Sequence, residues 1–391
     1  MLLLFTIHYS ISTISQIGTW HNYLSYADIQ QIRAAGTDNL FVLASNSLYQ
    51  YNKTDQSIYT YDKTNGLSDT YITHICWCPE AKRLIVVYQN SNIDLVDLKG
   101  NVTNISDLYN KLMTGDKTVS SIRIDGVYAY LICGFGIVKV NMQRAEIADS
   151  YTPLHPDYPA TLPAEDNSDY DQYIELVKTL KPGGPKYNYF GNMKFYNGKL
   201  YTVGGGFYQL GNYSRPGTVQ IWDNSNWLIY QDDFTPAFAN SYSDVTSIAI
   251  DPLNENHVVA ASCLGLIEFE NGIFKNNYTA GNNQYFTSAA SNGDPNYVRT
   301  DGVVYDNEGN LCCLNSGADT PIIKWSKDDT WEGINNDELM ENTNKSMYVM
   351  RGSFFDSQGL MWFVNAHRFS PYICSFDPIN NNVVKYNKMV N

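Results

Sequence analysis

Apolar positions along this chain gather in short runs of strand length, many of them unbroken, separated by clusters of Gly, Asn, Asp and Ser. Such runs bounded by turn residues predict β-strands, and their grouping repeats with a period of roughly 40 residues, that of a four-stranded propeller blade. The first copy reads Ile29–Gly36, Asn39–Ser45, Ser47–Asn52 and Ser57–Asp62, closing on the turn Asn65-Gly66-Leu67-Ser68-Asp69. The second is Ile72–Trp77, Arg83–Tyr88 and Asn92–Asp97, and the third Val119–Asp125, Tyr128–Cys133 and Gly136–Asn141. A fourth is visible in Asn192–Tyr196, Lys199–Val203 and Thr218–Asp223, and a fifth in Val245–Asp251, His257–Ser262 and Gly265–Phe269. The sixth runs through Gly302–Asp306, Asn310–Leu314 and Pro321–Trp325. The seventh adds Ser353–Asp356, Leu360–Val364, Tyr372–Asp377 and Asn382–Asn387.

One such sheet leaves an apolar face bare, and radial packing of neighbours buries both faces. The expected fold is therefore all-β, a seven-bladed β-propeller of four-stranded antiparallel blades over residues 17–391. An open β-solenoid would favour shorter and more uniform periods. A ring must also pair its last blade with its first or leave an open edge. The segment Gly18–Ser25 is placed to be a donated outer strand, although the seventh copy already carries a fourth strand of its own.

Residues 1–16 form an apolar run of export-signal length ending in small residues, without a basic start, and are expected to be a cleaved signal peptide. No later run is long enough to span a bilayer. The 31 Tyr, 16 Phe and 7 Trp suit half-buried pleated surfaces. A net charge of −14 without any basic run argues against nucleic acid as a partner. Seven cysteines, at 76, 78, 133, 263, 312, 313 and 374, show no CxxC spacing and read as core filler, with Cys76 and Cys78 on one face and Cys312 and Cys313 on opposite faces. No metal site and no cofactor is expected.

Residues 152–186 break the repeat with Pro, acidic residues and a helical pattern over Tyr170–Leu180, in which Ile174, Val177 and Leu180 recur. Insertions in propellers lie on a rim, so Tyr170, Tyr173, Tyr187, Tyr189 and Phe190 are the candidate ligand-binding residues. A lid packed on its own blades is the plainer alternative. Gly204-Gly205-Gly206 lacks the Lys-Ser or Lys-Thr of a phosphate loop and reads as a turn. The six histidines have no metalloprotease spacing, and His74 and His257 read as structural. Asp94, Asp125, Asp251 and Asp306 recur at strand ends, which points to turn hydrogen bonding. A carboxylate pair from different blades would leave no linear motif, so a polysaccharide lyase or hydrolase stays an alternative to the expected absence of catalysis. Tyrosine and tryptophan faces suit carbohydrate.

The stretches Ile17–Tyr26, Leu43–Tyr51, Lys63–Asp69 and Tyr88–Leu95 resemble the PorZ-like proteins of the type IX secretion system. The Asn-Gly-Leu-Ser-Asp turn is shared with the two-component-regulator propellers of Bacteroidetes hybrid sensor kinases. The resemblance implies an exported, non-enzymatic protein of the cell surface or periplasm that takes part in cargo export and attachment. Its implied partners are a surface glycan such as anionic lipopolysaccharide, or type IX secretion components. It further implies a second propeller and a sorting domain outside this chain, and transfers no functional residue. A ligand-sensing propeller of a hybrid two-component receptor is the rival reading.

Overall fold

The computed structural model describes residues 21–159, 161–165, 167–233 and 242–386. The expected signal segment, residues 18–20 of the donated strand and Asn387 lie outside the described residues. The chain divides into two compact units, one around residues 31–177 and the other around residues 178–386 with the segment Leu24–Gln30.

The first unit carries three four-stranded sheets. Sheet 1 is Ile29–Ala35, Asn39–Ala44, Ser47–Asn52 and Ile58–Tyr61; sheet 2 is Ile72–Cys78, Arg83–Tyr88, Ile93–Asp97 and Val102–Ile105; sheet 3 is Val119–Asp125, Tyr128–Cys133, Gly136–Asn141 and Glu146–Tyr151. The second unit carries four. Sheet 4 is Asn192–Tyr196, Lys199–Val203, Val219–Trp222 and Trp227–Ile229; sheet 5 is Val245–Asp251, Asn254–Ser262, Gly265–Glu270 and Ile273–Tyr278. Sheet 6 is Thr300–Tyr305, Leu311–Asn315, Ile322–Trp325 and Trp331–Ile334; sheet 7 is Met350–Phe355, Met361–Asn365, Tyr372–Asp377 and Asn382–Tyr386. Two small hairpins, Phe207–Tyr208 with Gly211–Asn212 and Met340–Asn342 with Lys345–Ser346, complete the second unit. Every four-stranded sheet pairs its strands antiparallel in chain order, the arrangement of a propeller blade.

The unbroken apolar runs belong to second and third strands, which are covered on both faces. In Arg83–Tyr88, Ile85 and Val87 pack toward sheet 3 with Leu131 and Val138, while Leu84, Val86 and Tyr88 pack toward sheet 1 with Phe41 and Leu48. Each such fully buried side chain contributes about 1.5–3 kcal/mol. The cysteines follow this alternation. Cys76 and Cys78 both pack among Ile85, Val87 and Leu131, whereas Cys312 joins the cluster of Met350 and Phe376 and Cys313 the opposite one of Val298 and Ile323. All seven thiols are free.

Asp306 accepts from the N–H groups of Glu308 and Asn310, and Asp251 from that of Leu253, as the turn reading requires. Asp94 departs from it. It sits inside a strand, fully buried, and its carboxylate accepts from the Ser68 N–H (2.8 Å), the Tyr88 hydroxyl (2.6 Å) and Asn104 Nδ2 (2.9 Å), so it ties the Asn-Gly-Leu-Ser-Asp turn to sheet 2. The donated strand is a second correction: residues 21–25 form no strand, and Ser25 bonds instead to the Lys186 carbonyl (2.5 Å) and Asn188 Oδ1 (3.0 Å). The insertion's helix is Ser168–Val177, ending before Leu180. Among the described residues no helix is long and apolar enough to cross a membrane, and no group of three or more His, Cys, Asp or Glu is arranged to hold a metal.

His257, a strand residue as expected, is bracketed by two carboxylates, with Nδ1 3.1 Å from Asp251 and Nε2 3.0 Å from Glu268. Hydrogen bonding to Glu268 raises its pKa; burial opposes the rise and Asp251 adds to it. Burial alone would raise Glu268, but His257, Lys275 and Tyr278 outweigh it and hold that carboxyl at about 2. The stabilisation from His257 is complete below its unfolded pKa, about 6.5, and is lost as pH rises through the raised folded value. That from Glu268 is present above about 4.5 and is lost as pH falls toward the folded value. Thermal melts across pH 3–9 should therefore show this pair contributing most between about 4.5 and 6.5. A His257→Gln chain should lose the decline on the alkaline side.

Candidate functional site

The structure divides the five aromatic residues expected to bind ligand. Tyr170 and Tyr173 lie on the helix Ser168–Val177 in the first unit; Tyr187, Tyr189 and Phe190 lie in the second, just ahead of sheet 4. The acidic and amide groups around that helix are engaged by the first strands of the unit's own sheets. The Ala34 N–H donates to Asp169 Oδ2 (2.7 Å), Arg33 donates to Asn167 Oδ1 (3.2 Å) and Arg123 pairs with Glu165 (3.0 Å). Asp169 thus satisfies an edge-strand N–H that would otherwise be open. Tyr173 has the Lys53 ammonium 4.8 Å from its ring centre.

Tyr189 belongs to a different assembly, built where the chain enters the first strands of sheets 5, 6 and 7. Its floor is Phe207, fully buried with Cys263 and Val349 and packed against Tyr297 and Tyr348. Asp244, buried and held in a left-handed backbone conformation (φ 51°), draws the preceding loop inward by accepting from the N–H groups of Ser214 (2.9 Å), Arg215 (3.2 Å) and Gly206 (3.4 Å). Burial raises its pKa. The three glycines make this approach possible. The Gly205 N–H donates to the Val245 carbonyl (2.7 Å), and a β-carbon on Gly205 would stand 2.2 Å from Asp244 Cα. Gly204–Gly206 is therefore a close-packed crossing of backbones.

Three guanidinium groups lie over this floor and over aromatic faces beside it. Arg215 is 4.8 Å from the Tyr189 ring centre and 5.0 Å from that of Tyr213; Arg351 is 5.6 Å from Phe207 and 5.9 Å from Tyr213; Arg299 is 5.5 Å from Phe207 and 5.4 Å from Tyr297. Two of them are braced. Arg215 donates to the Gly204 carbonyl (2.8 Å), and Arg299 Nε donates to the Tyr297 hydroxyl (2.7 Å), which in turn donates to Asn212 Oδ1 (2.7 Å). Arg351 Nε, by contrast, is buried without a hydrogen-bond partner among the described residues. Tyr208 and Tyr213 stack at 6.3 Å, and Tyr189, Tyr208 and Tyr213 each leave more than two fifths of their surface exposed.

In a chain of net charge −14 this gathers three guanidinium groups beside aromatic faces, with the buried carboxyl of Asp244 within electrostatic reach of Arg215 and that of Asp301 within reach of Arg351. Guanidinium forks match carboxylate and phosphate oxygens, and tyrosine faces cover the apolar side of a sugar ring. Of this cluster the sequence analysis names Tyr189 and none of the arginines, which are separated by 84 and 52 residues (215 to 299, 299 to 351). One usable signal existed, because Arg299 immediately precedes the first strand of its sheet and Arg351 is the second residue of its own.

Residues 40–163 match the family described as the N-terminal β-propeller domain of PorZ of the type IX secretion system. No curated protein matches the sequence. Among solved structures the chain resembles PorZ, an essential bacterial surface component of the type IX secretion system of Porphyromonas gingivalis, at 17% identity and a TM-score of 0.79, covering 95% of this chain and 68% of that one. The extracellular domains of the one component system BT4673 and the hybrid two component system BT3049 of B. thetaiotaomicron align at 12% identity each. They cover 93% and 95% of this chain and 61% and 60% of theirs, with TM-scores of only 0.29 and 0.28. The chain thus matches the PorZ N-terminal β-propeller family over residues 40–163 and shares the fold of P. gingivalis PorZ along nearly its whole length.

Proposed function

We propose that this chain is a PorZ-like propeller module, exported to the cell surface or periplasm, whose seven four-stranded sheets serve as seven blades and which binds an anionic glycan non-catalytically. The observation carrying this reading is the trio Arg215, Arg299 and Arg351 laid against Tyr189, Tyr213, Phe207 and Tyr297, with Arg351 Nε still unpartnered among the described residues. The surface location and the secretion-system setting are carried over from the PorZ likeness, and lipopolysaccharide is the glycan class that likeness favours. The test is calorimetric titration of the purified chain with the host's own lipopolysaccharide polysaccharide, before and after its carboxyl groups are reduced and its phosphates removed. Saturable binding that weakens with added salt and vanishes on neutralisation is expected, because partly exposed charge pairs are screened. Equal affinity for the neutralised polysaccharide, or none for either, would overturn the reading and turn attention to a protein partner of the secretion apparatus.

A further inference from the structure

A cleft of about 290 Å³ lies in the first unit between sheet 1 and the turn Leu98-Lys99-Gly100 of sheet 2. Its size is at the small end of ligand sites, which begin near about 300 Å³. Tyr59 stands at its wall 48% exposed, held edge-on against Tyr61 at 4.7 Å. Gly100 (φ +84°) brings backbone against both rings, where a β-carbon would already touch the Tyr61 hydroxyl at 3.8 Å and Tyr59 at 3.9 Å.

The polar lining is one-sided. Asn39 and Asn52 face each other across the hairpin. Asn39 Oδ1 accepts from Gln50 Nε2 (2.9 Å), Gln50 Oε1 accepts from the Tyr61 hydroxyl (2.7 Å), and Asn52 Oδ1 accepts from the Thr54 N–H (2.8 Å). With these oxygens engaged, Asn39 and Asn52 have their amide N–H groups left to offer, next to Lys99, and no carboxylate lines the cleft. A matching ligand must bring carbonyl acceptors and a flat apolar face.

From this geometry we propose that the cleft binds a pyranose bearing an N-acetyl group, its ring against Tyr59 and its acetamido carbonyl accepting from Asn39 and Asn52. The proposal is independent of the arginine site in the second unit. Its test is titration of the full chain with chitotriose, using cellotriose and a triglucuronate as comparison probes. Chitotriose should bind, cellotriose should bind at least about tenfold more weakly, and Tyr59→Ala should cost a similar factor, the size of a lost aromatic contact. Asn39→Asp, which keeps the acceptor and replaces the donor by an oxygen, should abolish binding, while Arg215→Gln/Arg351→Gln should leave it unchanged. No chitotriose binding, equal binding of cellotriose, preference for the triglucuronate, or indifference to Tyr59→Ala and Asn39→Asp would each overturn it.

Discussion

Replacing Gly265 by alanine is expected to be among the most damaging single changes in the chain, lowering stability by about 3–5 kcal/mol. Gly265 opens the third strand of sheet 5 at φ +86°, and a β-carbon there would lie 2.0 Å from the carbonyl oxygen of Tyr278 at the end of the fourth strand. Both the strain and the clash are in backbone, so no rotamer change relieves them. Gly136 stands at the same place in sheet 3, with φ +146° and a β-carbon 2.0 Å from the Tyr151 carbonyl, and Gly136→Ala should behave alike. Gly183, at φ +95° with nothing within 4 Å, is the control and should cost only about 1 kcal/mol. Urea melts of the three variants check this. Near-wild-type stability of Gly265→Ala would mean that sheet 5 does not close in this register.

Asp94→Ala should cost nearly as much, about 3–5 kcal/mol, because it strands three donors around a fully buried position. Asp94→Asn would rescue little, since its amide nitrogen must replace either the oxygen that accepts from the Ser68 N–H and the Tyr88 hydroxyl or the one that accepts from Asn104 Nδ2, and at least one of these donors then loses its acceptor. A readout specific to this carboxylate is hydrogen exchange at Ser68, whose N–H should lose protection before the strand amides of sheet 2 do. Equal protection in Asp94→Ala and wild type would show that the turn is held by other contacts.

The strands most legible in the sequence were those buried on both faces. Arg83–Tyr88 and Tyr128–Cys133 were placed to the residue because a strand covered on two sides must be apolar throughout. Fourth strands escaped in sheets 2 to 6. Glu146–Tyr151 and Ile273–Tyr278 are partly solvated, and their polar residues, as in Glu-Ile-Ala-Asp-Ser-Tyr, are indistinguishable from loop by pattern alone. Asp94 was misread because a buried carboxylate and a turn carboxylate look the same until the residues 26 and 10 positions away, Ser68 and Asn104, come to it.

The candidate site was legible only at its edge. Tyr189 was singled out for lying beside an irregular, aromatic insertion, and it does contact Arg215. Arg299 and Arg351 came from sheets 6 and 7, and nothing short of strand register could bring them to one floor. Gly204–Gly206, which reads as a turn in the sequence, is instead a crossing of backbones, and what it permits, the approach of Asp244, depends on a residue 40 positions away from its first glycine (204 to 244).

The proposed anionic-glycan site joins Tyr189, Tyr213 and Arg215, from the segments ahead of and within sheet 4, to Arg299 and Arg351 at the leading ends of sheets 6 and 7, and one titration tests it most directly. Wild-type chain and Arg215→Gln/Arg351→Gln are compared against the same host lipopolysaccharide polysaccharide by calorimetry at low salt. The two charges removed sit over Tyr189, Tyr213 and Phe207; Arg215 also lies within electrostatic reach of the buried Asp244 and Arg351 of the buried Asp301, so a urea melt of the double variant accompanies the titration. The account predicts an unchanged fold by circular dichroism and an affinity at least about a hundredfold lower, as expected for losing two charge-assisted contacts. Undiminished affinity in the double variant would contradict it.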